Sequence, residues 1–259
     1  MPVRIQRGLI AAASARPGDE SQMPQLSAWE GRRRLTAFAG LAIACYLAAM
    51  VATMPASVIF RNRPWRTGVE GTVWNGAVGI AGGSTLSWDW APLRSLSSLG
   101  FAADWRLTGA DNDLGGRALL RPGGRMVLDH VSGAADSALL AAIQPTLPFR
   151  CQMPMQIELP MVAIGGGARA MEGTIITEAG ACAPADGGAM TPVPALHFAA
   201  EHVGQLSRLR LAPATQRRRT LMDARLAEEG TLSLTLTPQG AAALPFAGLP
   251  GGASIDLRM

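Results

Sequence analysis

Leu86-Ser87-Trp88-Asp89-Trp90-Ala91-Pro92 alternates apolar and polar side chains and then stops at a proline. A period of two places Leu86, Trp88 and Trp90 on one face of a strand and Ser87 and Asp89 on the other. The same alternation continues outward. Phe101, Ala103, Trp105 and Leu107 are interleaved with Ala102, Asp104 and Arg106. Met126, Leu128 and His130 oppose Val127, Asp129 and Val131, and Met155, Ile157 and Leu159 oppose Gln156 and Glu158. Further on come Leu196-Phe198-Ala200, Leu209-Leu211, Met222-Ala224-Leu226 and Leu232-Leu234-Leu236 as alternating positions. Turn signals separate these runs: Gly82-Gly83, Gly109 to Asp113, Gly115-Gly116, Pro122-Gly123-Gly124, Gly165-Gly166-Gly167 and Gly187-Gly188. Short runs at this spacing predict an antiparallel sheet system. One polar face per strand leaves a side of the sheet for water or a partner. No barrel-closing pattern is visible, so the expected form is all-β: a strongly twisted open sheet or half-barrel.

Two helical interruptions are expected in the sheet. Ala135 to Ile143 follows a Ser132-Gly133 turn and is stopped by Pro145; its Leu139, Leu140 and Ile143 form an apolar stripe to lie on the sheet. Gly240 to Leu244 offers one turn before Pro245. Glu70-Gly71-Thr72-Val73 and Glu172-Gly173-Thr174-Ile175 look alike, either as the openings of equivalent hairpins in two halves or by chance.

Upstream of the sheet lies a different kind of sequence. From Leu35 to Phe60 there is no charged side chain, and Arg32, Arg33 and Arg34 stand directly before it. A bilayer core takes about 20 apolar residues of helix to cross. The expected organisation is a disordered cytoplasmic tail over 1–34, a transmembrane signal anchor over 35–60 and a β-rich domain over 61–259. A cleavable signal peptide and a lipoprotein signal are the competing readings. The first would cut after Met54-Pro55-Ala56, where Met at −3 is unsuited, and the second would use Cys45. Arginines flank both sides of the segment, Arg32 to Arg34 before it and Arg61, Arg63 and Arg66 after it. The positive-inside rule is therefore nearly balanced. Arg4, Arg7 and Arg16 add to the N-terminal side and place it in the cytoplasm, which puts the domain in the periplasm. Met23 is an alternative start to Met1.

Composition narrows the functional classes. Charged residues are 16% of the chain and the net charge is +4, too little for a dense basic stripe. A nucleic-acid surface would need such a stripe with interleaved aromatics, so none is expected. The late run Arg217-Arg218-Arg219 reads as a solvated strand end or loop. All basic residues are Arg, which reflects codon usage more readily than function.

Gly68-Val69-Glu70-Gly71-Thr72-Val73-Trp74-Asn75-Gly76, followed by the Leu86 to Pro92 run, resembles the type II secretion system protein N family. That family has a short inner-membrane anchor, then a Gly-Thr-(Val/Leu)-Trp-x-Gly hallmark, then a Leu-x-Trp-x-(Leu/Trp)-x-Pro strand. The resemblance runs from about Leu35 to the C-terminus. Glu172-Gly173-Thr174-Ile175, Thr231 to Leu236 and Thr237-Pro238-Gln239-Gly240 also look like the family's later strands. It implies a non-catalytic inner-membrane component whose periplasmic β-domain contacts other secretion proteins. Gly71, Thr72, Trp74, Gly76, Trp88 and Pro92 are the hallmark positions. Their chemistry points to structure. Gly71 and Gly76 are expected to bracket a strand, Asn75-Gly76 to form a tight turn, and Trp74 to cover Trp88 or Trp90. Trp74 serves either the core or a partner surface.

The residues offer no reaction centre. Cys45 lies in the apolar segment, while Cys151 and Cys182 are the only cysteines of the domain. In an oxidising compartment two such cysteines form a disulfide; two free thiols or a nucleophile are the alternatives. His197 and His202 are five apart, on opposite faces of a strand, and His130 stands alone, which is a poor metal set. Asp111-Asn112-Asp113 lacks the later ligands of a calcium loop and reads as a turn. No phosphate-binding or nucleophile-elbow motif is present. We therefore expect no catalytic residue, cofactor, metal or small-molecule substrate. An alternative of a different class is a lipid- or hydrophobic-cargo groove lined by the Met155, Ile157, Leu159 row, provided that the helix around Leu139 leaves it open.

Overall fold

The computed structural model describes residues 24–61, 65–144, 147–166, 169–247 and 250–258. The first 23 positions of the expected tail, and Pro145, Arg63 and Gly167, lie outside the described residues. The chain divides into two units, residues 1–52 and 53–259.

The first unit is helix α1 (Pro24–Ala52). It starts ahead of the arginine triplet, inside the region expected as tail. Residues 32–52 are long and apolar enough to cross a membrane, and none of them is buried. The helix ends short of the apolar run, because a residue preceding proline is driven out of the helical region and Pro55 follows Met54. Ala56–Val58 forms a single 3-10 turn instead. Ala56 and Phe60 pack against Val78 and Trp88, so the apolar character beyond Pro55 belongs to the core of the β-unit.

The second unit is a long antiparallel meander. Its first strands are β1 (Arg66–Gly71), β2 (Asn75–Ile80), β3 (Ser84–Trp90), β4 (Phe101–Thr108), β5 (Asp113–Leu120) and β6 (Met126–Asp136). Then follow β7 (Phe149–Gln152), β8 (Pro154–Ile164), β9 (Ala170–Thr177), β10 (Gly180–Pro184) and β11 (Thr191–Val193). The last are β12 (Leu196–Val203), β13 (Leu206–Pro213), β14 (Met222–Ala227), β15 (Thr231–Leu236) and β16 (Ser254–Arg258). Thirteen strands form one sheet in the order β1-β2-β3-β4-β5-β6-β8-β9-β12-β13-β14-β15-β16, and β11-β10-β7 form a second small sheet. The large sheet is not closed: β1 and β16 are its two edges. Short helices α2 (Pro92–Ser98), α3 (Ala138–Ile143) and α4 (Pro238–Ala243) interrupt the meander.

Gly82 and Gly83 have φ of 101° and 86°, and Gly123 and Gly124 have 93° and 79°. The Gly83 N–H closes a turn onto the Ile80 carbonyl at 3.2 Å and the Gly124 N–H onto the Arg121 carbonyl at 3.1 Å, so the first glycine of each pair is the second central residue of its turn, where a positive φ favours glycine, and the second glycine leads into the next strand. Other glycines depart from expectation. Gly115 and Gly116 lie inside β5, not in a turn, because the Trp105 ring covers Gly116: a Cβ there would meet its Cζ2 at 2.9 Å. Ser132-Gly133 also lies within a strand. β6 runs through it with a bulge at His130, whose φ is 54°, and continues to Asp136. The two Glu-Gly-Thr segments are unlike. Gly71 ends β1 at a hairpin, whereas Gly173 sits in mid-strand opposite a bulge at Leu159-Pro160 of β8. There a Cβ would lie 2.7 Å from the Leu159 Cα, so the bulge requires glycine.

The core is divided along the sheet. One cluster holds Leu196, Leu221, Leu236 and Leu244 with the Cys151 and Cys182 pair beneath α4 and the small sheet. A second gathers Ile80, Leu107, Leu114 and Ala135. Leu139 and Ala142 of α3 pack into this cluster together with Met155 and Ile157. Leu140 and Ile143, expected beside Leu139, point outward, since β6 takes up Ala135 and Asp136 and the helix starts later than the sequence suggested. A third cluster lies around Ala200, Leu209, Ala224 and Leu226. The fourth, around Val78 and Trp88, underlies the first hairpin.

Candidate functional site

The first hairpin gathers the hallmark residues. Gly71 is in register with Gly76, so the connection is the loop Thr72-Val73-Trp74 and not an Asn75-Gly76 turn. Gly71 takes φ of 84° to enter it. The Thr72 hydroxyl closes the loop by accepting from the Trp74 and Asn75 N–H groups, each at 3.3 Å. Gly76 is the second residue of β2, where a Cβ would come within 2.6 Å of both the Glu70 carbonyl oxygen and the Trp88 ring. The glycine therefore exists to admit Trp88, which is 9% exposed and donates its indole N–H to the Val73 carbonyl at 3.1 Å.

Trp74 goes elsewhere. Its ring lies 4.8 Å from that of Trp90 and 5.9 Å from that of Phe101. The two tryptophans of β3 thus part company. Trp88 is core, with Phe60 at 5.3 Å, while Trp90 is half-exposed and pairs with Trp74. Pro92 begins α2, where its missing N–H is no loss.

Sequence reasoning did not find α2. Its signal was present: a proline at the first helical position followed by Leu93, Leu96 and Leu99 at a spacing of three. Ser95 pins the helix to the sheet, accepting from the Trp90 indole N–H at 2.8 Å and the Ala102 N–H at 2.9 Å. Arg94 reaches Asp104 of β4 at 2.6 Å. The segment that leaves α1 joins the same place. The Val73 N–H donates to the Met54 carbonyl at 2.9 Å, and Pro55 bridges to Thr72.

The other titratable candidates stay apart from this cluster. Cys151 and Cys182 are joined by a disulfide between directly paired positions of β7 and β10. Cys45, in α1, is free and exposed. Ser207 has no exposed surface; it accepts from the Met171 N–H at 3.0 Å and lies 3.0 Å from the His202 Nδ1. The two contacts tie β9, β12 and β13 together. His197 titrates below its usual 6.5, through partial burial and the nearby Arg217 cation, against an opposing backbone hydrogen bond. Asn112 of the Asp111-Asn112-Asp113 turn donates to Ser84 Oγ at 3.0 Å and accepts from the Asp136 N–H at 2.9 Å. It joins three strand ends. His130, at its bulge, is exposed and apart from the other two histidines. Among the described residues no group of three metal-ligating side chains comes together.

No family model matches the chain, and no curated protein or solved structure is significantly similar to it.

Proposed function

We propose that this protein is a membrane-anchored, non-catalytic component of the type II protein secretion system. In this reading α1 crosses the inner membrane, and the open β-sheet stands in the periplasm, where it contacts other secretion components. The observation that carries the proposal is the hairpin built from Gly71 to Gly76 with Trp88 behind it, which is the segment bearing the family resemblance. Its glycines, threonine and tryptophans form one interlocked unit where the chain leaves α1. Among the described residues β1 and β16 are the two edges of the sheet, which suits strand addition by a partner chain. The cargo-groove alternative gains no support, because Leu139 and Ala142 of α3 occupy the apolar face beside Met155 and Ile157.

Deleting the coding sequence in the source bacterium and assaying hydrolases in medium and periplasm tests the proposal. Hydrolases trapped in the periplasm are the expected result. Normal export would remove the protein from the secretion pathway.

A further inference from the structure

Helix α2 is amphipathic in the reverse sense for a helix lying on a water-soluble domain. Such a helix turns its apolar stripe to the core and its polar face to solvent. Here two polar residues face the sheet: Ser95 is bonded to Trp90 and Ala102, and Arg94 to Asp104, while Ser97 is exposed. The leucines face out. Leu93 is 82% exposed, Leu96 74% and Leu99 81%. A contiguous exposed apolar patch marks a site of interaction with protein or membrane.

The topology indicates which. The meander alternates direction, so the β1–β2 loop, the β3–β4 connection with α2 and the β5–β6 hairpin share one rim of the sheet. The chain arriving from α1 reaches the domain at this rim, through Met54 and Pro55 hydrogen-bonded to Val73 and Thr72. Only Thr53 separates Ala52, the last residue of α1, from Met54, so along the chain the end of α1 is two residues from this attachment. The neighbouring hairpin has the same character. Leu120 and Met126 are exposed at its strand ends and enclose Arg121 and Arg125 around the Pro122-Gly123-Gly124 turn. Apolar tips with interleaved cations fit acyl chains beneath phosphate headgroups. Trp90, held at the base of α2, has the amphipathic ring found at membrane–water interfaces.

We propose that this rim rests on the phospholipid bilayer, with Leu93 and Leu96 of α2 and Leu99, the residue that ends the helix, inserted into the leaflet. The inference depends on α1 being a membrane anchor but not on the secretion role. The rim then acts as a second, monotopic contact that limits the swing of the β-sheet above the membrane.

The test uses the full chain reconstituted in vesicles of phosphatidylethanolamine and phosphatidylglycerol. A nitroxide is placed on Leu96→Cys in a Cys45→Ala background, and its accessibility to oxygen and to a water-soluble nickel complex is read by power saturation. Asp111→Cys, at the opposite rim, serves as the aqueous reference, and a label on native Cys45 reports the anchor. The expected result is a Leu96 label reached by oxygen and shielded from nickel, an Asp111 label open to nickel, and a Cys45 label deep in the bilayer. A Leu96 label as open to nickel as that at Asp111, with Cys45 deep, would overturn the rim contact and leave the anchor standing. A Leu96 label shielded from both reagents would assign α2 to a protein interface and overturn the proposal. A water-exposed Cys45 would overturn the anchor and the rim contact together.

Discussion

At Gly76 a methyl group would sit 2.6 Å from the Glu70 carbonyl oxygen and as close to the Trp88 ring, with backbone on one side and a buried indole on the other. Neither can retreat without opening the hairpin. Gly76→Ala should therefore lower stability by about 1–3 kcal/mol, the usual range for overpacking, seen as a lower denaturation midpoint in detergent. The tryptophans separate by burial. Trp88→Ala removes a buried ring and its hydrogen bond to Val73, and should cost about 3–5 kcal/mol. Trp74→Ala removes a half-buried ring packed at a tilt against Trp90 and Phe101, and should cost well under half as much. Equal losses in the same denaturation assay would show that Trp74 is as much a core residue as Trp88. His197 carries a pH dependence. Its folded pKa is lowered, so the unfolded chain binds more protons as pH falls. Its contribution is fully present above about pH 6.5 and is lost below that as pH drops through the folded value. His197→Gln should flatten this part of a stability-against-pH curve. An unchanged slope would assign the dependence to another group.

At the scale of elements, the small β7–β10–β11 sheet is the part that depends on a covalent bond. The disulfide closes a separation of 31 residues, for which chain entropy gives about 3.5–4 kcal/mol. Its removal should loosen the cluster of Leu196, Leu221 and Leu236 beneath it, while the thirteen-stranded ladder keeps its own hydrogen bonds. Cys182→Ser is expected to show a lower unfolding midpoint with a nearly unchanged far-ultraviolet dichroism spectrum. Loss of the sheet signal in that variant would mean that the small sheet supports the large one. The helices show how tertiary context shifts an element. The apolar residues of α3 were legible, but where β6 ends was not. The bulge at His130 lets the strand continue past Gly133 to Asp136, and the helix begins in a different rotational phase. α2 was missed although its proline and leucine spacing were present, because it is only seven residues long and sits between two strongly alternating strands.

At the scale of the whole molecule, the prediction concerns sidedness. The Arg-rich N-terminal flank and the disulfide both fit a domain held outside the cytoplasm. Fusing alkaline phosphatase after Arg66 should give an active enzyme, and fusing green fluorescent protein there should give a dark one. The reverse pattern would place the β-domain in the cytoplasm.

Alternation and turn chemistry in the sequence were sufficient for the antiparallel β class, because a strand's facing is a local property with a period of two, whereas the open form is decided by the two edge strands β1 and β16 of the tertiary structure. The apolar stretch after Arg34 was sufficient for a helix able to span a membrane, because length and the absence of charge are all that such a helix requires. Three features rested on contacts between distant residues and emerged only in the tertiary structure. The assignment of Trp88 to the core and Trp74 to a half-buried cluster with Trp90 and Phe101 depends on which ring Gly76 admits. The glycines of β5 and β9 are in mid-strand because a tryptophan and a bulge press on them from neighbouring strands. The outward face of α2 is set by Ser95 and Arg94, whose partners on the β4 backbone and side chain no local pattern could reveal.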